Sequence, residues 1–201
     1  MVMIRLLIAN VQGGGVWLVV GLALFCAGCP QMAIMTGATT AAGIVADDRS
    51  PDQQAVDLGL KGDIEKAFLN NAPDLAAKVN VNVYLQRVML TGVVPDESAR
   101  WNAVRIARQA TGGLMLYDDL EVAAGNTLVD TAEDAAINKA LGLNLLAADG
   151  IASQSLQHRV VNGTAFIMGQ AHQENQIEIA RTVALQTPGV RRVVTHVLLA
   201  G

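Results

Sequence analysis

Slid along itself by 77 residues, the chain meets itself again: Val88-Met89-Leu90-Thr91-Gly92 falls on Ala165-Phe166-Ile167-Met168-Gly169. The same offset pairs Glu97 with Glu174, Ala103 with Ala180, Ala107 with Ala184 and Gly112 with Gly189. One register held through a strand, a turn and a helix means two copies of a single supersecondary unit. The chain is therefore confined to a tandem pair of small domains. Only 3% of its 201 residues are aromatic, so both cores must rest on Val, Leu, Ile and Ala. Cores of that size bury modest area, and each copy alone is expected to be marginally stable.

The elements of the unit follow from periodicity. Leu60, Ile64, Ala67 and Phe68 form one helical stripe, which Pro73 ends. Val79, Val81, Val83 and Leu85 alternate with polar residues and predict a half-buried strand; Val88–Val94 predicts a second. Pro95-Asp96 opens a helix with Asp96 as its N-cap, Gly112-Gly113 stops it, and Leu114–Val122 predicts a third strand. The second copy repeats the order with a stripe of Ile137, Ala140, Leu141 and Leu145. Strands at 154–161 and 164–168 are joined by the hairpin dipeptide Asn162-Gly163. A helix over 174–187 and a strand over 190–199 complete it. The expected fold class is α+β: two tandem α-β-β-α-β domains, each a small three-stranded mixed sheet with two helices packed on it.

Ahead of the repeats lies an apolar leader. Arg5 is its only charge, and Gly13-Gly14-Gly15 precedes the run Val16–Ala27. Twelve helical residues span about 18 Å, short of a bilayer core of roughly 30 Å, and match the h-region of a signal peptide. Ala27-Gly28-Cys29 places small residues before a thiol and resembles a bacterial lipobox, which implies acylation at Cys29. Cys26, preceded by Phe25, is a poor acceptor by the same pattern. An uncleaved anchor over 3–27 is the competing reading. The expected organisation is a lipoprotein signal peptide over 1–28, a lipidated tether over 29–57, and domains over 58–125 and 126–201. The polar stretch Asp47-Asp48-Arg49-Ser50-Pro51 belongs to that tether.

The segments "VNGTAFIMG" and "PGVRRVVTHVLL", with a helix between them, resemble a BON domain; "RVMLTGVVP", followed by a helix and Gly-Gly, is a weaker match to the same pattern. The glycines that mark the family correspond to Gly92, Gly112, Gly169 and Gly189. Gln86 stands where the first hairpin's glycine is expected. Lipobox, tether and two such units together resemble the dual-BON outer-membrane lipoproteins. The resemblance implies a protein anchored through Cys29 at the periplasmic face of the outer membrane, supporting its integrity through phospholipid or envelope-protein contacts. The alternative is a periplasmic chaperone-like or adaptor module recognising envelope proteins; a peptidoglycan-binding scaffold is a third class.

Charge and motifs narrow the function from the other side. Without residues 1–28 the chain carries 13 basic and 18 acidic side chains, and most of that excess comes from Asp47, Asp48, Asp52 and Asp57 against Arg49 alone, so the repeats are close to neutral. That excludes a nucleic-acid surface. No nucleophile elbow, phosphate-cradling loop or His-Glu-x-x-His motif is present, so no catalytic residue, cofactor or metal is expected. His158, His172 and His196 read as ordinary polar residues. The oligomeric state stays open.

Two surfaces stand out as candidates for lipid or partner binding. On the helix over 96–110, Ala99, Ala103, Ile106, Ala107 and Ala110 define the core side, and Trp101 with Arg100, Arg105 and Arg108 falls opposite. That cluster suits an anionic lipid interface or an acidic partner; packing of Trp101 against the sister domain is the competing reading. On the helix over 132–148, Lys139, Leu143 and Leu146 lie beyond the core stripe. The resemblance associates this helix with anionic phospholipid, although the family's aromatic contact aligns with Ala136. A helix buried between the domains explains the same composition.

Overall fold

A computed structural model describes residues 47–123 and 131–200. The expectations for the leader, for Cys29 and for the tether before Asp47 lie outside the described residues, as does the domain boundary near 125. The first domain comprises α1 (Pro51–Asn71), a helical turn α2 (Pro73–Ala76), β1 (Val79–Tyr84), β2 (Arg87–Val94), α3 (Glu97–Thr111) and β3 (Leu116–Val122). The second comprises α4 (Thr131–Ala147), a 3-10 turn at Ser153–Ser155, β4 (Leu156–Val161), β5 (Thr164–Ala171), α5 (Glu174–Gln186) and β6 (Arg192–Leu199). In each sheet the middle strand pairs antiparallel with its hairpin partner and parallel with the strand that follows the second helix.

Helix α1 starts earlier than its apolar stripe predicts. Ser50 and Gln53 form a reciprocal capping box and Pro51 occupies the first turn, so residues 51–57, assigned above to the tether, are helical. That extension positions Asp57, which is buried. Its carboxylate accepts the amides of Leu85 and Gln86, each at 2.8 Å, across the β1–β2 turn. Both turn residues have positive φ, 48° and 58°, without being glycine. The acceptor supplied by α1 stabilises a backbone that glycine would otherwise supply. The second domain uses the same device at the same offset: Asp134 accepts the amides of Asn162 at 2.7 Å and Gly163 at 3.1 Å.

The family glycines have physical reasons. At Gly92, φ is +138° and an added Cβ would sit 2.0 Å from the Lys78 carbonyl oxygen; Gly169 stands in the same relation to the Ser155 carbonyl oxygen. These are places where the start of one strand crosses tightly over its partner, as its absence of a side chain permits. Gly112 closes α3 in the left-handed conformation. Gly189 lies against Ile137 of α4.

Each sheet is apolar on both faces. In β2, Val88, Leu90 and Val94 pack under α1 and α3, whereas Met89 and Val93 point the other way. In β5, Ala165 and Ile167 pack under α4 and α5, whereas Phe166 and Met168 point away. The second faces meet. Tyr84, Met89 and Tyr117 of one sheet join Val161, Phe166, Met168 and Val194 of the other in a shared core. The result is four layers: α1 and α3, the first sheet, the second sheet, then α4 and α5. Middle strands buried on both faces read as continuous apolar runs rather than alternating ones.

Candidate functional site

The seam between the sheets is polar at its rim and is closed by side chains from both domains. Arg87 donates to the carbonyl of Gly169 at 2.7 Å and to that of His196 at 3.1 Å. Gln157 donates to the Val83 carbonyl and accepts from Asn82. Glu121 accepts from Asn162 at 2.7 Å and from Arg192 at 3.2 Å. The His196 ring stacks on Tyr117 with centroids 3.9 Å apart, and its Nε2 lies 2.7 Å from Asp119. Asp119 and His196 occupy equivalent positions of the two repeats. Equivalent residues meeting each other is what a two-fold relation produces on its axis. Asp118, one residue away on β3, points to the opposite face and pairs with Arg100.

Residues 47–50, read above as tether, form a strap across this seam. Arg49 is nearly enclosed: it grips the Asp47 carboxylate at 2.7 Å, reaches Asp57 at 2.9 Å, and lies 4.4 Å above the centre of the Tyr84 ring. Those three partners lie on the strap and the first domain. The strap also reaches the second domain: the Asp48 amide donates to Ser155 Oγ at 2.9 Å, and the Asp48 carboxylate lies 3.1 Å from His172. Burial raises the Asp47 pKa, but the hydrogen bonds and charge of Arg49 outweigh it and leave it below the ordinary value. The hydrogen bond it donates to Asp47, opposed by burial, holds the Arg49 guanidinium more firmly protonated than usual. Burial raises the Tyr84 phenol and lowers the His158 imidazole.

The two candidate surfaces lie on opposite sides of the molecule. Trp101 is 70% exposed on the outer face of α3, so it does not pack on the sister domain. The sheets, not the helices, meet between the domains, which leaves α1, α3, α4 and α5 in the outer layers. Arg105 and Arg108 are exposed beside Trp101 at i+4 and i+7. Arg105 is held by Asn102 at 2.6 Å and Gln109 at 2.9 Å, both neutral. Arg100 departs from the expected cluster. It sits about 100° around the helix from Trp101 and bonds Asp118 at 2.9 Å, so its charge is already matched.

On α4, Ile137, Leu141 and Leu145 face the core, while Leu143 and Leu146 are 58% and 55% exposed with Lys139 on the same arc. A helix buried between domains is therefore not what α4 is. A cleft of about 240 Å³ beside the Asp134 device is lined by Glu133, Asn162, Gly189 and Arg191 among others. It is smaller than ligand pockets of roughly 300–1,000 Å³, and its lining is polar and apolar in about equal measure. Among the described residues no three His, Cys, Asp or Glu side chains converge as a metal site, and no helix is long and apolar enough to cross a membrane.

Two α-β-β-α-β units, each with its buried Asp beneath a hairpin and its glycine at the strand crossing, define the class. The BON domain model matches residues 57–124 and 133–201, and the chain belongs to the BON domain family, with two copies. Among individual proteins it is similar to the outer membrane lipoprotein DolP of Haemophilus influenzae, at 25% identity over 88% of this chain and 91% of that one. An uncharacterized protein of Anaplasma centrale is 27% identical over 61% of this chain and 82% of its own length. The 21 kDa hemolysin of Actinobacillus pleuropneumoniae is 27% identical over 59% of this chain and 60% of its own length.

Proposed function

We propose that the protein is a non-enzymatic lipoprotein of the cell envelope, anchored through Cys29 at the periplasmic face of the outer membrane, which binds anionic phospholipid. The likeness to DolP along almost the whole of both chains supports the envelope assignment. The observation that carries the lipid reading is the outer face of α4. Leu143 and Leu146 are more than half exposed beside Lys139, and no carboxylate occurs between Asp134 and Asp149. Exposed leucines on a helix that carries no negative charge beyond its first turn, which holds Glu133 and Asp134, can enter the headgroup region shallowly, and one lysine adds about 1 kcal/mol near an anionic surface.

Flotation of the unacylated 47–201 fragment, which holds all the described elements, tests this reading. Binding to phosphatidylglycerol or cardiolipin vesicles should fall with salt. Leu143→Asp with Leu146→Asp should weaken it at least about tenfold, since each leucine contributes on the order of 1 kcal/mol when partly buried. Equal flotation with neutral lipid, or none, would instead favour the adaptor reading. The anchor is tested separately. Cys29→Ser should release the full-length protein from the membrane pellet, and the mass of the mature N-terminus should show cleavage before Cys29 with acyl chains attached. Continued pelleting of the Ser variant under carbonate wash points to the uncleaved anchor over 3–27.

A further inference from the structure

The four-layer arrangement has a consequence for Trp101. The outer faces of α3 and α4 point in opposite directions, so a molecule resting on a bilayer through α4 turns Trp101 away from that bilayer. We infer that the Trp101, Arg105 and Arg108 face of α3 is a docking surface for an acidic protein segment with an apolar side chain at its centre, which makes the molecule a bridge between a membrane and an envelope protein. The inference rests on the lipid reading of α4 and names the partner chemistry of the opposite side.

The composition of the face specifies that partner. Trp101 is 70% exposed. Tryptophan and arginine are the residues that most often carry the energy of protein interfaces. Arg105 and Arg108 stand about 6 and 10 Å along the helix axis from Trp101 and within about 40° of it around the axis. Among the described residues neither guanidinium is paired with a carboxylate: the ion pairs of α3 involve Arg100, and Arg105 meets only the Asn102 and Gln109 side-chain amides. The surface thus offers two unmatched positive charges beside one exposed ring, which bidentate carboxylates of a partner would match. An anionic bilayer fits this side less well. Helix α1 shares the layer with α3, and the charges of its middle turns, Lys61, Asp63, Glu65 and Lys66, cancel, with Lys61 paired to Glu65 at 3.7 Å, so a flat anionic surface gains nothing there while a narrow acidic segment meets only Trp101, Arg105 and Arg108.

The test uses the membrane-reconstituted lipoprotein, in which Trp101 is the only tryptophan once residues 1–28 are removed; Trp17→Phe keeps that so if the leader is retained. In phosphatidylglycerol vesicles, Trp101 fluorescence should be quenched by aqueous acrylamide and spared by brominated phosphatidylglycerol. A synthetic peptide alternating glutamate and leucine should shift the emission to the blue. That response should weaken with salt and need at least tenfold more peptide in the Arg105→Glu, Arg108→Glu variant, while Arg100→Gln leaves it unchanged. Quenching of Trp101 by brominated lipid overturns the inference and makes this the membrane face. So does a peptide response that is absent or survives the double charge reversal, or an emission shift that follows protein concentration alone, which assigns the face to a second copy. In a Trp101→Phe background, Leu143→Trp reports the α4 contact independently: its quenching by brominated lipid upholds the lipid reading whatever the peptide does. An unchanged melting temperature in the charge-reversal variant shows that the helix itself is intact.

Discussion

Asp57→Ala should destabilise the protein by about 3–5 kcal/mol, measured as a shift of the urea midpoint of the 47–201 fragment. The Asp57 side chain is almost wholly enclosed and receives three hydrogen bonds, from Arg49 and from the amides of Leu85 and Gln86. Removing it leaves two amides and one nitrogen of the Arg49 guanidinium without their acceptor, Asp47 still holding the other two, and a buried donor costs about 1–3 kcal/mol when unmatched. It also withdraws support from two residues held at positive φ, where a side chain costs about 1 kcal/mol. Adding Gln86→Gly should therefore recover about 1 kcal/mol of the loss. The second domain is the internal control. Asp134 holds two amides, its turn already contains Gly163, and Arg191 bonds the Asn162 carbonyl, so Asp134→Ala should cost less. A midpoint for Asp57→Ala within the range of ordinary surface changes would falsify the account of the turn.

Gly92→Ala should be at least as damaging, by about 4 kcal/mol or more, enough to unfold the first domain in a protein of ordinary stability. The new Cβ would fall 2.0 Å from the Lys78 carbonyl oxygen, and that atom is backbone immediately before β1, so no rotamer change relieves the contact. Gly112→Ala makes the comparison. Its φ of 64° is also positive, but nothing lies within 4 Å, so only the conformational cost of about 1 kcal/mol is expected. Similar losses at both positions would mean that backbone conformation, not the strand crossing, makes Gly92 necessary.

The fold was largely legible from the sequence because the signals that specify it are local. The alternation in β1, the Asp96 cap and the Asn162-Gly163 turn are each contained within a few residues, the 77-residue offset repeats the pattern from one copy to the next, and each appears in the structure. The face-to-face packing of the sheets was written there as well, in Met89, Val93, Phe166 and Met168, which make the outer faces of two middle strands as apolar as the inner ones. That pattern distinguishes a half-solvated sheet from a covered one, and reading β2 and β5 simply as strands passed over it. The strap was not legible. Asp48 meets Ser155 and His172, more than a hundred residues away, and no periodicity within "DDRS" anticipates either contact. The outward direction of Trp101 followed from helical geometry, but its freedom from the sister domain depends on which layers meet. Arg100 was drawn into the wrong cluster because its partner, Asp118, lies on a strand 18 residues downstream.

The strap and the shared core also bear on ancestry. Whatever event doubled this module, the copies no longer behave as interchangeable cassettes. Excising either would strip the cover from one sheet, wetting Tyr84 and Met89 in one half or Phe166 and Met168 in the other, and would deprive Arg49 or Asp48 of its contacts. Drift in one half is thereby policed by the other, and a transplanted single half would need new polar residues on its bare side before it could live alone.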